Sequence, residues 1–298
     1  MTSRPGYATS GSGSVHLPAV YSTVVTLHVP AAATPTYILE VRLQVDVPIR
    51  TALSVRGWCH AGRADMAEPH SSGSGQVLIT GQNPLPGSRP LDVLSRRIFG
   101  RALVEVPATG GTCQLQLSPR TEATVGSWMD IVSGTLTVTP VRAVAVGVQS
   151  GRVYFGGPGA PATVSVARTP AGTPSPGPFV VHGEVELTVC YGSPGYGLCP
   201  PAPNVSSTVE ARLVLERLAT DGTVCRVVRG VAREVVIDPK VHHRKVVLAP
   251  LADPGRAGCG KRIRAYIEVA HRSGNSMEVE ASGLAVPVQT LAWVDQQP

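Results

Sequence analysis

The stretch CYGSPGYGLCPP (Cys190 to Pro201) holds the densest set of recognition-type side chains in the sequence. Its three glycines and its prolines exclude a helix or a regular strand. A disulfide between Cys190 and Cys199 would close it into a preorganised tip carrying Tyr191, Tyr196 and Leu198. Rigid tyrosines bring contact area at low entropic cost, which suits binding to a protein or glycan surface. The plainer reading is a tight strand connection whose tyrosines cover a sheet edge. A phosphate-binding loop is excluded, because no helix pattern and no Lys-Ser/Thr follow the glycines.

Two further stretches concentrate polar chemistry. HHRK (His242, His243, Arg244, Lys245) is a basic cluster with Lys240 nearby, able to hold an anionic glycan or phosphate, or to form a solvated hairpin end. WCHAGRADMAEPH (Trp58 to His70) gathers His60, Asp65, Glu68 and His70, but their spacing fits no metal-ligand rule. Trp58 beside Cys59 points instead to an indole packed near a disulfide in a sandwich core. No Gly-x-Ser-x-Gly, His-Glu-x-x-His or other nucleophile motif occurs. The expectation is a protein that is not an enzyme and needs no cofactor or metal.

The elements that must position these residues are strands. YILEVRLQVDV (Tyr37 to Val47) alternates apolar Tyr37, Leu39, Val41, Leu43, Val45 and Val47 with polar Glu40, Arg42, Gln44 and Asp46. EVELTV alternates in the same way, Val185, Leu187 and Val189 against Glu184, Glu186 and Thr188. Such period-two runs, punctuated by Gly, Pro and Ser, recur along the whole chain. Helical periodicity is nearly absent, and RPLDVLSRRIFG (Arg89 to Gly100) is the one short helix candidate. Alternating strands imply antiparallel sheets with one dry face, and two such sheets bury those faces against each other. The expected fold is all-β: two tandem immunoglobulin-like antiparallel β-sandwich domains with at most one short helix.

The halves resemble each other. MDIVSGTLTV (Met129 to Val138) matches MEVEASGLAV (Met277 to Val286), RALVEVP (Arg101 to Pro107) matches RKVVLAP (Arg244 to Pro250), and Cys113 and Cys259 lie between them in the same order. A duplication accounts for three ordered matches. It divides the chain into a polar tail (residues 1–18) and two domains (19–142 and 143–298). The six cysteines then pair as Cys59–Cys113, Cys190–Cys199 and Cys225–Cys259, which implies an oxidising compartment.

Composition narrows the function classes. The net charge is +6, but it divides evenly: residues 1–142 hold eleven arginines against eight acids, and the rest fifteen basic residues against twelve acids. With aromatics at 4%, there is no basic stripe with stacking partners, so nucleic acid is not an expected partner. No apolar run approaches the ~18 residues of a membrane span, so membrane insertion is not expected either. No signal peptide is visible in MTSRPGYATSGSGSVHLP, so the export signal was removed or export takes another route. Charged residues make up only 15% of the chain, a balance more usual in exported β proteins and virus-particle proteins than in cytosolic enzymes. These features point to a non-catalytic extracellular or cell-surface protein with a structural or adhesive role, binding protein or glycan surfaces or associating with itself. The alternatives are a virion or phage particle component, with a virion location, and a carbohydrate-binding module or carbohydrate-active enzyme.

Overall fold

The computed structural model describes residues 7–16, 22–31, 36–48, 53–60, 93–106, 108–119, 128–141, 143–171, 173–174, 178–191, 199–203, 205–238, 243–253, 259, 262–280, 282–283, 286–287 and 290–296. Among these no helix occurs. The chain divides into two compact units, Met1–Val141 with Leu284–Pro287, and Arg142–Gly283 with Val288–Pro298.

Unit 1 contains β1 (Tyr7–His16), β2 (Ser22–Val29), β3 (Thr36–Pro48), β4 (Leu53–His60), β5 (Val93–Glu105), β6 (Gly111–Pro119) and β7 (Trp128–Pro140). They form two antiparallel sheets, β1-β7-β3-β5 and β2-β6-β4. The alternation of β3 is realised: Leu39, Val41, Leu43 and Val45 enter the core with Val25, Leu27, Leu115, Leu136 and Val138. Cys59 and Cys113 stand opposite each other on β4 and β6 and are disulfide-bonded, Cα–Cα 3.9 Å. Trp58 pairs with Gln114 in register; its side chain lies outside those described.

Unit 2 fills eight strand positions, several of them split in two. They are β8 (Ala143–Val148) with β9 (Val153–Phe155); β10 (Thr163–Val166) with β11 (Thr173–Pro174); β12 (Phe179–Val189); β13 (Ser207–Leu218); β14 (Val224–Arg229) with β15 (Arg233–Ile237); β16 (His243–Val247) with β17 (Leu251–Asp253); β18 (Arg262–Ser273); and β19 (Met277–Val279) with β22 (Leu291–Gln296). Two short strands lie between β19 and β22 in the chain: β20 (Ser282–Gly283), in unit 2, and β21 (Val286–Pro287), in unit 1. One sheet runs β8/β9, β19/β22, β12, β16/β17, and the other β10/β11, β18, β13, β14/β15. Between them Val185, Leu187, Leu213, Leu215, Ile263 and Ile267 build a fully buried core.

By position, unit 2 pairs first-eighth-third-sixth and second-seventh-fourth-fifth. Unit 1 pairs first-seventh-third-fifth and second-sixth-fourth, which is the same order with seven positions among the described residues. Successive strands change layer, except that the fourth and fifth of unit 2 pair with each other, and the first pairs with the last. This is the jelly-roll order. The all-β antiparallel sandwich expectation holds, but the immunoglobulin refinement does not describe this pairing, because immunoglobulin sandwiches keep the first two strands hydrogen-bonded in one sheet. Strand count and alternation are common to both folds, so the sequence pattern did not separate them. The repeats noted in the sequence fall on corresponding strands: Met129 and Met277 on the last position, Arg101 and Arg244 on the second strand before it.

Two local expectations are corrected. The segment read as a helix over Arg89–Gly100 is, from Val93 onward, part of β5, paired residue for residue with β3 from Pro48↔Val93 to Thr36↔Glu105. Apolar Leu94 and Ile98 are four apart, a spacing that fits both periods, and the long partner strand decides between them. The segment read as a flexible tail contains β1, paired with β7 from Tyr7↔Val138 to His16↔Trp128 with a bulge between Gly11 and Gly13. An edge position needs backbone hydrogen bonds more than apolar alternation, so a Gly/Ser-rich sequence can fill it.

Candidate functional site

Four strands of unit 2 end on the same side of the sandwich, at Phe155, Val189, Ile237 and Ser273. The topology therefore brings together two places that are far apart in sequence, Cys190 at the end of β12 and His243 at the start of β16. The foot of the loop is fastened by several elements. Cys190 is fully buried and bonded to Cys199, Cα–Cα 5.1 Å. Cys190 N–H donates to Ser276 O at 2.9 Å. The buried Asn275 donates through Nδ2 to Cys190 O (2.9 Å) and to Pro203 O (2.5 Å), so one side chain spans both limbs of the loop. Its own carbonyl accepts from Ser207 Oγ at 2.6 Å and lies 2.9 Å from His271 Nε2. The His271 ring meets Phe155 edge-on, with centroids 6.5 Å apart. Gly274, at φ 90°, makes the turn that points Asn275 inward, and a Cβ there would collide with the Ser206 carbonyl. Asn275→Ala is expected to cost about 1–3 kcal/mol, because two buried carbonyls lose their donor. Limited proteolysis should then cut first within residues 192–198.

Of the recognition residues proposed from sequence, Tyr191 is half-buried at the foot of the loop, while Tyr196 and Leu198 lie outside the described residues. The described part of the basic cluster is divided between two environments. His242 lies outside the described residues, and His243 stands opposite Thr188 in register, its side chain not among those described. Arg244 is exposed and donates to Val236 O at 2.8 Å. The Lys245 ammonium lies 3.2 Å from Glu184 Oε2, and both side chains are almost wholly buried. Strand alternation sends neighbouring residues to opposite faces, so a run that is dense in sequence is divided in space. His60, Asp65, Glu68 and His70 contribute no described side chain, and among the described residues no three His, Cys, Asp or Glu side chains could hold a metal ion.

The structure reveals a group that sequence reasoning took for a wet strand face. Glu184, Glu186, Glu278 and Glu280 are all buried, on or next to adjacent strands β12 and β19. Among the described residues, Lys245 lies at Glu184, and the Arg152 guanidinium is 3.0 Å from Glu280 and 3.9 Å from Glu278. Thr188 Oγ1 donates to Glu280 Oε1 at 2.7 Å. Thr290 Oγ1 accepts from Glu186 N–H at 3.1 Å and donates to Glu280 O at 2.9 Å. Desolvation pushes the Glu186 carboxyl up to about 8; Lys245 opposes the shift, and Glu280 and Glu184 add to it. Burial therefore favours the neutral form of Glu186. No sequence signal identifies it, because EVELTV reads the same whether the polar face meets water or protein.

At the opposite end, Cys225 and Cys259 are bonded, Cα–Cα 5.9 Å. Arg217 on β13 reaches across the sandwich to Asp253 on β17, Nε to Oδ2 2.9 Å, and stacks over Phe179 at 5.6 Å.

No family model and no curated protein sequence matches the chain. Similar solved structures are all distant. A structure of broad bean stain virus aligns over 100% of this chain and 91% of its own, at 8% identity and TM-score 0.25. The tandem CBM22-1–CBM22-2 domain of Xyn10C from Paenibacillus barcinonensis aligns over 98% of both chains, at 11% identity and TM-score 0.23. A recombinant N-glycanase F aligns over 97% of this chain and 99% of its own, at 9% identity and TM-score 0.27. None of these values bears on the ligand or partner of this protein.

Proposed function

We propose that this chain is a non-catalytic structural protein of an oxidising setting, outside the cell or on its surface, that works by contact with a protein or glycan surface through the loop end of unit 2. The observation that carries this reading is the fastening of the loop foot by Cys190–Cys199 and by the two bonds of Asn275. A clamped loop loses little entropy on binding, so Tyr191, Tyr196 and Leu198 can spend their contact area on a partner. The buried carboxylates are engaged with Lys245, Arg152 and Thr188, and their role in this reading is structural.

The test is binding of the fluorescently labelled full chain to an array of neutral and acidic glycans, with Tyr196→Ala beside it. A central aromatic anchor is worth about 2 kcal/mol, roughly 30-fold in affinity. Binding lost in Tyr196→Ala supports the reading and favours the carbohydrate-binding form of it. Glycan binding that is indifferent to Tyr196, Tyr191 and Leu198 would place the contact elsewhere and overturn the site.

A second reading, a virion or phage particle component, is favoured by the repeated jelly-roll order, an architecture shared by capsid and lectin domains. It rests on fold-level analogy. Closed shells of uniform size in electron micrographs of the purified chain would support it over the first.

A further inference from the structure

The outer edge of β14 and β15 carries no strand partner among the described residues, and it is lined with exposed Val227, Val231 (80% exposed) and Val236, with exposed Arg229 and Glu234 between them. An open, apolar strand edge is a template for another strand. Its hydrogen-bonding sense can be read. Gly230 N–H donates to Leu213 O, and the pairs Leu215↔Val228 and Arg217↔Arg226 continue that ladder on β13. By alternation, the backbone groups of Val227 and Arg229 point away from β13. Continuing the alternation of β13 through Ala211↔Arg233 and Val209↔Val235 leaves those of Glu234 and Val236 pointing outward as well. The Val236 carbonyl accepts from the exposed Arg244 side chain at 2.8 Å, a bond that an incoming strand would replace.

These four residues complement a second copy of themselves. In an antiparallel pairing about a two-fold axis between Val231 and Ala232, Val227 meets Val236 and Arg229 meets Glu234. Val228 and Val235, on the core side, also meet. Every contact occurs twice, as an isologous interface requires. Shifting the register by two residues either way keeps the hydrogen-bonding sense but sets Val227 against Glu234, or Arg229 against Val236. Charge and apolarity match only in the central register.

We propose that a second copy of this chain docks on the β14–β15 edge, antiparallel and in this register, joining two four-position sheets into one of eight. The pairing stands apart from the loop-end reading, since it uses none of the same residues.

Sedimentation velocity of the full chain over a wide concentration range, without reductant, tests it. The wild-type chain should dimerise. Arg229→Glu sets two pairs of like charges across the axis, as does Glu234→Arg, and each should weaken the dimer by about tenfold or more. The double variant Arg229→Glu/Glu234→Arg should restore it. A folding defect in either single variant would persist in the double, so rescue separates the two causes. Val231→Lys, at an exposed position on the axis, should also dissociate the dimer. A wild-type chain that stays monomeric throughout, single variants that associate like wild type, or a double variant that fails to recover would each overturn the proposal.

Discussion

Arg217→Ala is expected to lower the unfolding free energy of unit 2 by about 3–5 kcal/mol, the usual effect of removing one partner of a buried ion pair. The Arg217 and Asp253 side chains are 4% and 1% exposed, and they join β13 of one sheet to β17 of the other. Without the guanidinium, the buried Asp253 carboxylate loses its 2.9 Å ion pair with Arg217, and Phe179 loses the cation above its ring. The contrast is Arg42, 2.6 Å from Glu40 on β3 but 66% exposed. Its replacement by alanine should cost less than about 1 kcal/mol, because water screens the pair and the two side chains pay entropy to hold it. Guanidinium denaturation of the two variants measures both effects. Equal midpoints would show that Arg217 is solvated in the native protein.

Glu186→Gln is expected to remove a fall in stability between about pH 4.5 and pH 8. In the folded protein burial raises the Glu186 carboxyl to about 8, whereas in the unfolded chain it ionises near its ordinary value of 4.5. Between these values the native state binds the additional proton, so stability declines as pH rises. The contribution is complete below the unfolded value and lost as pH passes through about 8. A shift of this size corresponds to roughly 4–5 kcal/mol across the window. Glutamine keeps the shape and cannot ionise, so the variant should equal wild type near pH 4 and exceed it above pH 8. Thermal melts from pH 4 to 9 read this directly. Parallel curves for wild type and variant would show that Glu186 is already ionised in the folded protein.

The strands legible in the sequence were those with one wet face. Tyr37 to Val47 and Val185 to Val189 both fold as read, because alternation depends only on the pleat. The disulfide partners were also legible, since the duplicated order set Cys113 and Cys259 in comparable places. What escaped were properties that depend on which surface lies above a strand. Glu184 and Glu186 carry the same pattern as Glu40 and Arg42, yet the first two are buried and Arg42 is exposed. Strand order escaped for a related reason: jelly rolls and immunoglobulin sandwiches share local periodicity and differ only in long-range pairing. HHRK looked like one site because sequence proximity hides the alternation that separates Arg244 from Lys245.

The double jelly roll with its clamped loop stands or falls on sulfur connectivity, and peptide mapping by mass spectrometry of the full chain, digested without reductant, measures it. The account predicts Cys59–Cys113, Cys190–Cys199 and Cys225–Cys259, with no free thiol among the six cysteines. Any other pairing, or six free thiols in protein taken from its native setting, would contradict it.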